Sequence, residues 1–332
     1  MKLPSRPVFL SSSTMALIHE ARRTAGYGLF DWLHGYVYGR WIYLYIGIGT
    51  GEHPLAKSFV RARQLWLRAF PREQRPSASP GTSEASGERP TTFADTYHGK
   101  VVTLESATKL ISVQQEVRLT DLEHVIPYAL ARDIVLKRPD HIVAIDCPCR
   151  AARPNPCLPL DVCLIVGEPF ASFATEHHPA RSRWIASTEA AEILRAEHER
   201  GHVHHAFFKD AMLGRFYAIC NCCSCCCGAM HAQRHGVPML ASSGYVAEVD
   251  PSECVACGSC QERCQFGAIS VNGHAVVDAA ECMGCGVCVS QCPQEAMALV
   301  RDASRGVPLE LDELMREAMQ GAGSSKLEAG RA

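Results

Sequence analysis

The sequence lacks any long apolar run. Its longest uncharged apolar stretch, WIYLYIGIGTG from Trp41, falls well short of the roughly 20 residues that a membrane span needs, so no transmembrane helix is expected. Glycines occur in GYGLFDWLHG and YIGIGTGEH, but there is no G-x-G-x-x-G between a strand and a helix, and no Walker A motif. Dinucleotide and nucleotide binding are therefore unsupported. A nucleophile elbow and an HExxH are also missing, which removes two common hydrolase classes. Large net charge is absent too, at -2 over 332 residues.

The small total hides an asymmetry. Residues 1 to 75 hold 11 Lys/Arg against 4 Asp/Glu, net +7, leaving 22 against 31 in the remainder, net -9. The basic start is suited to an acidic partner or a membrane surface. The acidic remainder argues against nucleic acid. In MKLPSRPVFLSSSTMALIHEA the apolar stretch is broken by SSST, and Arg22-Arg23 are followed by Asp31 and His34. Neither pattern makes an export signal. The expected compartment is the reducing cytoplasm, with peripheral contact at the inner membrane face through residues 27–70 as an option.

What the chain has in excess is cysteine, 18 residues. A chain of this length can bury a sizeable core without disulfides, so metal ligation is the leading explanation. Texture divides the chain into five parts. Residues 1–70 form an aromatic and basic segment that ends in LAKSFVRARQLWLRAF, where Leu55, Phe59, Ala62, Trp66 and Phe70 recur at helical spacing. Residues 71–92 are rich in Pro, Ser, Gly and Glu and read as a flexible linker. Residues 93–246 have α/β texture, 247–302 are short Gly- and Cys-rich units, and 303–332 form a charged tail with one helix at LELDELMREAM.

Within 93–246, TDLE (120–123) reads as a capping box opening a helix over DLEHVIPYALARDIVLK. HIVAID (141–146) and CLIVG (163–167) read as strands, STEAAEILRAEHERG as a helix capped by Ser187 or Thr188, and HVHHAFF and RFYAIC as strands. The cysteines fall where these elements end.

Cys254, Cys257, Cys260 and Cys264 follow C-x2-C-x2-C-x3-C, and Cys282, Cys285, Cys288 and Cys292 repeat the pattern before Pro293. With the fourth cysteine of each run crossing over, one [4Fe-4S] cluster is expected on Cys254, Cys257, Cys260 and Cys292 and a second on Cys282, Cys285, Cys288 and Cys264. Residues 251–300 resemble the bacterial-type two-cluster ferredoxins. That resemblance implies a small pseudo-symmetric module carrying single electrons at low potential. Gln265 departs from it, standing where the first run would show Pro.

Ten cysteines remain. CPCR with Cys157 and Cys163 gives four thiols, Cys147, Cys149, Cys157 and Cys163, enough for one tetrahedral metal or one cubane. CNCCSCCC adds Cys220, Cys222, Cys223, Cys225, Cys226 and Cys227. As a helix, this run would present Cys220, Cys223 and Cys227 on one side and Cys222, Cys225 and Cys226 on the other. As a loop, alternate cysteines would close around one cluster. One or two additional iron-sulfur clusters are expected here. The combination is similar to cysteine-rich domains of uncharacterised iron-sulfur proteins of anaerobic bacteria, which implies no assigned activity. Arg150 and Arg153 would offset cluster charge, and His177, His178, His202, His204 and His205 are candidate ligands or proton carriers, against ordinary surface or packing roles.

The fold expected is α/β (α+β): a helical N-terminal segment, a cysteine-rich α/β middle domain and a ferredoxin-like two-cluster [4Fe-4S] module. The function expected is electron transfer, as a relay subunit or docking partner of a larger oxidoreductase, with redox proteins as partners. The alternative is an iron-sulfur reductase whose middle-domain cluster is the reaction centre. A thiol-rich structural or metal-handling module would require little iron in the middle domain.

Overall fold

The computed structural model describes residues 11–56, 58, 96–120, 122–128 and 130–329, with side chains to 320. The expected linker 71–92 and most of the amphipathic stretch from Leu55 to Phe70 lie outside the described residues.

Three helices open the chain: α1 (Ser12–Ala21), α2 (Leu29–Arg40) and α3 (Ile42–Gly49). Ser11 caps α1 by accepting from the Thr14 amide. After them come β1 (Tyr97–Val102), α4 (Leu104–Ile111), β2 (Val117–Leu119), β3 (Ile134–Ile145), α5 (Pro148–Ala151) and β4 (Cys163–Glu168). Next are α6 (Phe170–His177), β5 (Ser182–Ile185), α7 (Ser187–Glu199), β6 (Val203–Lys209), β7 (Arg215–Cys222), α8 (Gly228–Arg234) and β8 (Leu240–Ala241). They build an eight-stranded sheet in the order β2-β3-β4-β7-β6-β1-β8, with β5 on β3. Among the named strands of the described residues only the β1–β8 pair is parallel.

Among the described residues of DLEHVIPYALARDIVLK no helix forms, contrary to the capping-box reading. Pro127 removes an amide and disfavours helical backbone at Ile126. The β-branched Ile134 and Val135 are instead taken into β3, which is longer than HIVAID alone and pairs with β2 and β4. Pro139 is tolerated because it sits in the irregularity between Lys137 and Ile142, where Arg138 adopts φ 47°. The other expected elements form, with α7 capped one position early by Ala186.

The sheet core is apolar and fully buried at Ile142, Val143, Ala144, Leu164, Phe208 and Ile219. The N-terminal helices dock onto it. Tyr36, Tyr38 and Leu17 are buried, the Tyr38 and Tyr217 hydroxyls hydrogen-bond at 2.8 Å, and His178 Nε2 donates to Gly39 O at 2.7 Å. A side chain at Gly35 would strike Ala211 O. The outer face of this segment leaves Leu29, Phe30, Leu33 and Trp41 exposed. Among the described residues no helix is long and apolar enough to cross a membrane.

A second apolar cluster, with Val246, Ala247, Ala268, Ile269, Ala275 and Met297, belongs to the C-terminal module. Here β9 (Tyr245–Val249) pairs with β12 (Met297–Arg301) and β10 (Ile269–Asn272) with β11 (His274–Val277), while α9 (Ser259–Arg263) and α10 (Val287–Ser290) follow the cysteine loops. The repeat is visible in the backbone. Positive φ occurs at Ala256, Gly258 and Gly267 and again at Gly284, Gly286 and Glu295. Gly284 has no substitute, since a Cβ there would lie 2.2 Å from Tyr245 O. Last, α11 (Leu311–Ala329) packs on α4 and β2.

Candidate metal centres

Antiparallel register gathers the middle-domain thiols. Ile145 at the end of β3 pairs with Cys163 at the start of β4, and Leu164 pairs with Ile219. The next step of that ladder brings Cys163 opposite Cys220, while Val203 of β6 pairs with Cys222. Strand ends that are distant in sequence therefore meet at one sheet edge.

Six thiols form a connected group, buried except for the half-buried Cys149 and Cys220. Cys147 faces Cys149 and Cys163, Cys163 faces Cys220, Cys149 faces Cys227, and Cys227 faces Cys222. They surround a cavity closed by Tyr38, Ile42, Ile46, Tyr97 and Tyr217, so the N-terminal helices roof it. Cys157 is not among them. It joins Cys223, Cys225 and Cys226 in a second group whose Sγ atoms all lie within 4.8 Å of one another. All eighteen cysteines are free.

The run CNCCSCCC is thus neither a helix nor an alternating loop. Cys220 to Cys222 end β7, a turn follows, and Cys227 is the N-cap of α8. It does divide three and three, but as Cys220, Cys222 and Cys227 against Cys223, Cys225 and Cys226. Twisted strand followed by tight turn sets that division, where helical periodicity would have set another. The grouping of Cys157 with Cys147, Cys149 and Cys163 fails for the same reason.

Arg150 is 1% exposed and Glu197 0% exposed. The guanidinium donates to Pro159 O at 2.6 Å, Asn221 O at 3.1 Å and Glu197 Oε2 at 2.5 Å. His202 Nδ1 meets the same carboxylate at 2.6 Å. Burial pushes the Glu197 carboxyl up, but His202 and Arg150 prevail and hold it below the ordinary carboxylate range. Arg150 is therefore a strut that fixes the CPCR turn. Arg153 pairs with Glu52 and reaches Cys226 O at 3.5 Å.

The candidate histidines have other employment. His177 meets Thr14 Oγ1 at 3.1 Å, His178 holds Gly39, and His204 Nδ1 donates to Asn221 Oδ1 at 2.6 Å. His205 differs. It pairs across the ladder with Cys220, is 0% exposed, and both ring nitrogens lack a partner. Such a group costs about 1–3 kcal/mol, and its place on the sheet face of Cys220 suits a site completed by a bound group. Ten soft thiols clustered against this edge fit iron-sulfur chemistry.

A cavity of about 320 Å³ adjoins the six-thiol group at Cys149, lined also by Tyr45, Tyr97, Arg153, Lys209 and His231. Sequence reasoning missed Lys209. It is 1% exposed, with Nζ 4.9 Å from the Tyr38 ring centre and 5.0 Å from that of Tyr97. Burial lowers its pKa to about 8.

In the C-terminal module, Cys254, Cys257, Cys260 and Cys292 line one small cavity. Cys264, Cys282, Cys285 and Cys288 are neighbours in a second group, in which burial pushes Cys285 up to about 12. These are the two sets of thiols that the crossed assignment would use. Backbone amides of Ala247, Ala268 and Ala275 donate to Cys282, Cys264 and Cys254 sulfur at 3.5, 3.3 and 3.4 Å, an arrangement that stabilises thiolate charge and tunes potential.

The two halves of the module face differently. Val255 and Cys257 of the first half are exposed, whereas Met283, Cys285 and Val287 of the second pack on the main core. Gln265 sits at the junction: Ser224 N donates to its Oε1 at 2.7 Å, and its Nε2 donates to Gly201 O at 2.9 Å. Ser290 Oγ also meets His198 Nε2 at 2.8 Å.

No curated protein and no solved structure matches the chain. Residues 247–270 and 275–298 match the family of 4Fe-4S binding domains, so the C-terminal module is a ferredoxin-like segment attached to a cysteine-rich domain.

Proposed function

We propose that the protein is an iron-sulfur electron-transfer protein in which the two-cluster ferredoxin module and the buried six-thiol centre form one relay. Cys254, Cys257, Cys260 and Cys292 would hold the outer cluster, Cys264, Cys282, Cys285 and Cys288 the inner one, and Cys147, Cys149, Cys163, Cys220, Cys222 and Cys227 the buried centre. Such groups supply reversible one-electron storage. The chain's part is to fix their order, with the exposed half toward a redox partner and the buried half toward the sheet edge.

The observation that carries this reading is Gln265, which ties the residue after Cys264 to the turn between Cys223 and Cys225. Gln265→Pro restores the residue found at the equivalent position 293 and removes both side-chain hydrogen bonds. Each is worth about 0.5–1.5 kcal/mol, so docking should weaken by roughly 5- to 150-fold. Rapid-freeze EPR should then show normal reduction of the ferredoxin module and slower reduction of the middle domain. Unchanged middle-domain rates would count against the relay.

The cavity beside Cys149 favours a second reading, a reductase whose buried centre is the reaction site. Cyanide offers a simple probe. A change in the middle-domain EPR signal on adding it would support the reductase, and an unaltered signal the relay.

A further inference from the structure

Cys157, Cys223, Cys225 and Cys226 are arranged unlike the other fourteen cysteines. Cys225 Sγ lies 3.2 Å from Cys157, 3.2 Å from Cys223 and 3.7 Å from Cys226, and Cys157 lies 3.8 Å from Cys223. A tetrahedral ion with metal–sulfur bonds of about 2.3 Å sets its thiolates about 3.8 Å apart. The four ligands of a cubane bind different irons and are held farther apart by the core between them. The ferredoxin thiols show that wider pattern: among the described residues none of them joins a group within 4.8 Å, and a cavity separates Cys254, Cys257, Cys260 and Cys292.

We propose that Cys157, Cys223, Cys225 and Cys226 bind one tetrahedral ion, zinc or iron, with no inorganic sulfide. Four thiolates on a divalent ion carry a net charge of -2, and the turn is provided with cations to offset it. These are Arg153, which reaches Cys226 O, and Arg234, which donates to Ser224 O; the His231 ring adds a hydrogen bond to Cys225 O at 3.2 Å. Soft thiolates exclude magnesium and calcium. Cys225 is exposed while Cys223 and Cys226 are buried, so the ion has a route from solvent and a fixed seat.

The ion would join two segments distant in sequence: the loop after α5, through Cys157, and the turn after β7. Ser224, between two of its ligands, is the residue that donates to Gln265. The ion is thus a clamp on the surface to which the ferredoxin module docks. This goes beyond the relay reading and does not depend on it.

The test compares zinc, iron and acid-labile sulfide in anaerobically purified full-length protein, wild type against Cys157→Ser and Cys225→Ser. Each variant should lose one metal ion per chain and no sulfide. Loss of about four iron together with about four sulfide would mean a cubane and overturn the proposal, as would unchanged metal content. Should a variant not fold, the wild type still decides. X-ray absorption at the zinc edge should show four sulfurs at about 2.3 Å and no metal neighbour, or, for iron, Mössbauer spectra should show one high-spin iron outside the coupled clusters; finding neither overturns it. A protein holding the ferredoxin iron plus one such ion would uphold this inference while removing the buried six-thiol centre.

Discussion

Arg150→Met should destabilise the middle domain by about 3–5 kcal/mol, because it strands the Glu197 carboxylate in the protein interior. Both side chains are buried beneath the CPCR turn, and the guanidinium also satisfies the carbonyls of Pro159 and Asn221. His202 and Arg200, which meets Glu197 Oε1 at 2.8 Å, retain part of the compensation, so the lower half of that range is the firmer expectation. For a unit of this size the melting temperature should fall by roughly 6–20 °C. The double variant Arg150→Met/Glu197→Leu should recover part of the loss, since pair and charge then go together. A shift equivalent to less than about 1 kcal/mol, as for a surface ion pair, would contradict the strut assigned to Arg150.

Cys147→Ser should empty the buried centre and leave the ferredoxin module intact. Cys147 is the thiol of the six that faces both Cys149 and Cys163, so the group falls into two parts without it. At least about four iron and their sulfide should be lost. The module has its own apolar cluster and its own eight cysteines, and its EPR signals should persist. Cys222→Ser, at the end of the contact series, should have a smaller effect. Loss of the ferredoxin signals in Cys147→Ser, or retention of all iron, would be inconsistent with a separate centre at the sheet edge.

The ferredoxin-like segment was legible because a cubane fixes the local spacing of its cysteines, which recurs in the repeat. The strands β4, β6 and β7 were legible as short apolar runs. Cys157 was not, because its neighbours Cys223 and Cys225 lie 66 and 68 residues away and only the β4–β7 register brings them together. The false helix over 121–137 came from weighing periodicity and a capping pattern above Pro127, when pairing of Ile134 and Val135 decides the matter. Gln265 was visible as an anomaly, standing where the first run would show Pro. Its purpose needs Ser224 and Gly201, which no local pattern connects to it. The roof over the six-thiol cavity, Tyr38, Ile42 and Ile46, lay in an aromatic segment that no local pattern connects to the cysteines.

The most direct test of the central claim is the iron and acid-labile sulfide content of the anaerobically purified wild-type chain. Two ferredoxin clusters alone give about 8 of each. The account predicts about 12 or more, with the excess sulfide and its accompanying iron lost in Cys147→Ser. A value of about 8, unchanged in that variant, would confine the clusters to residues 254–292 and contradict it.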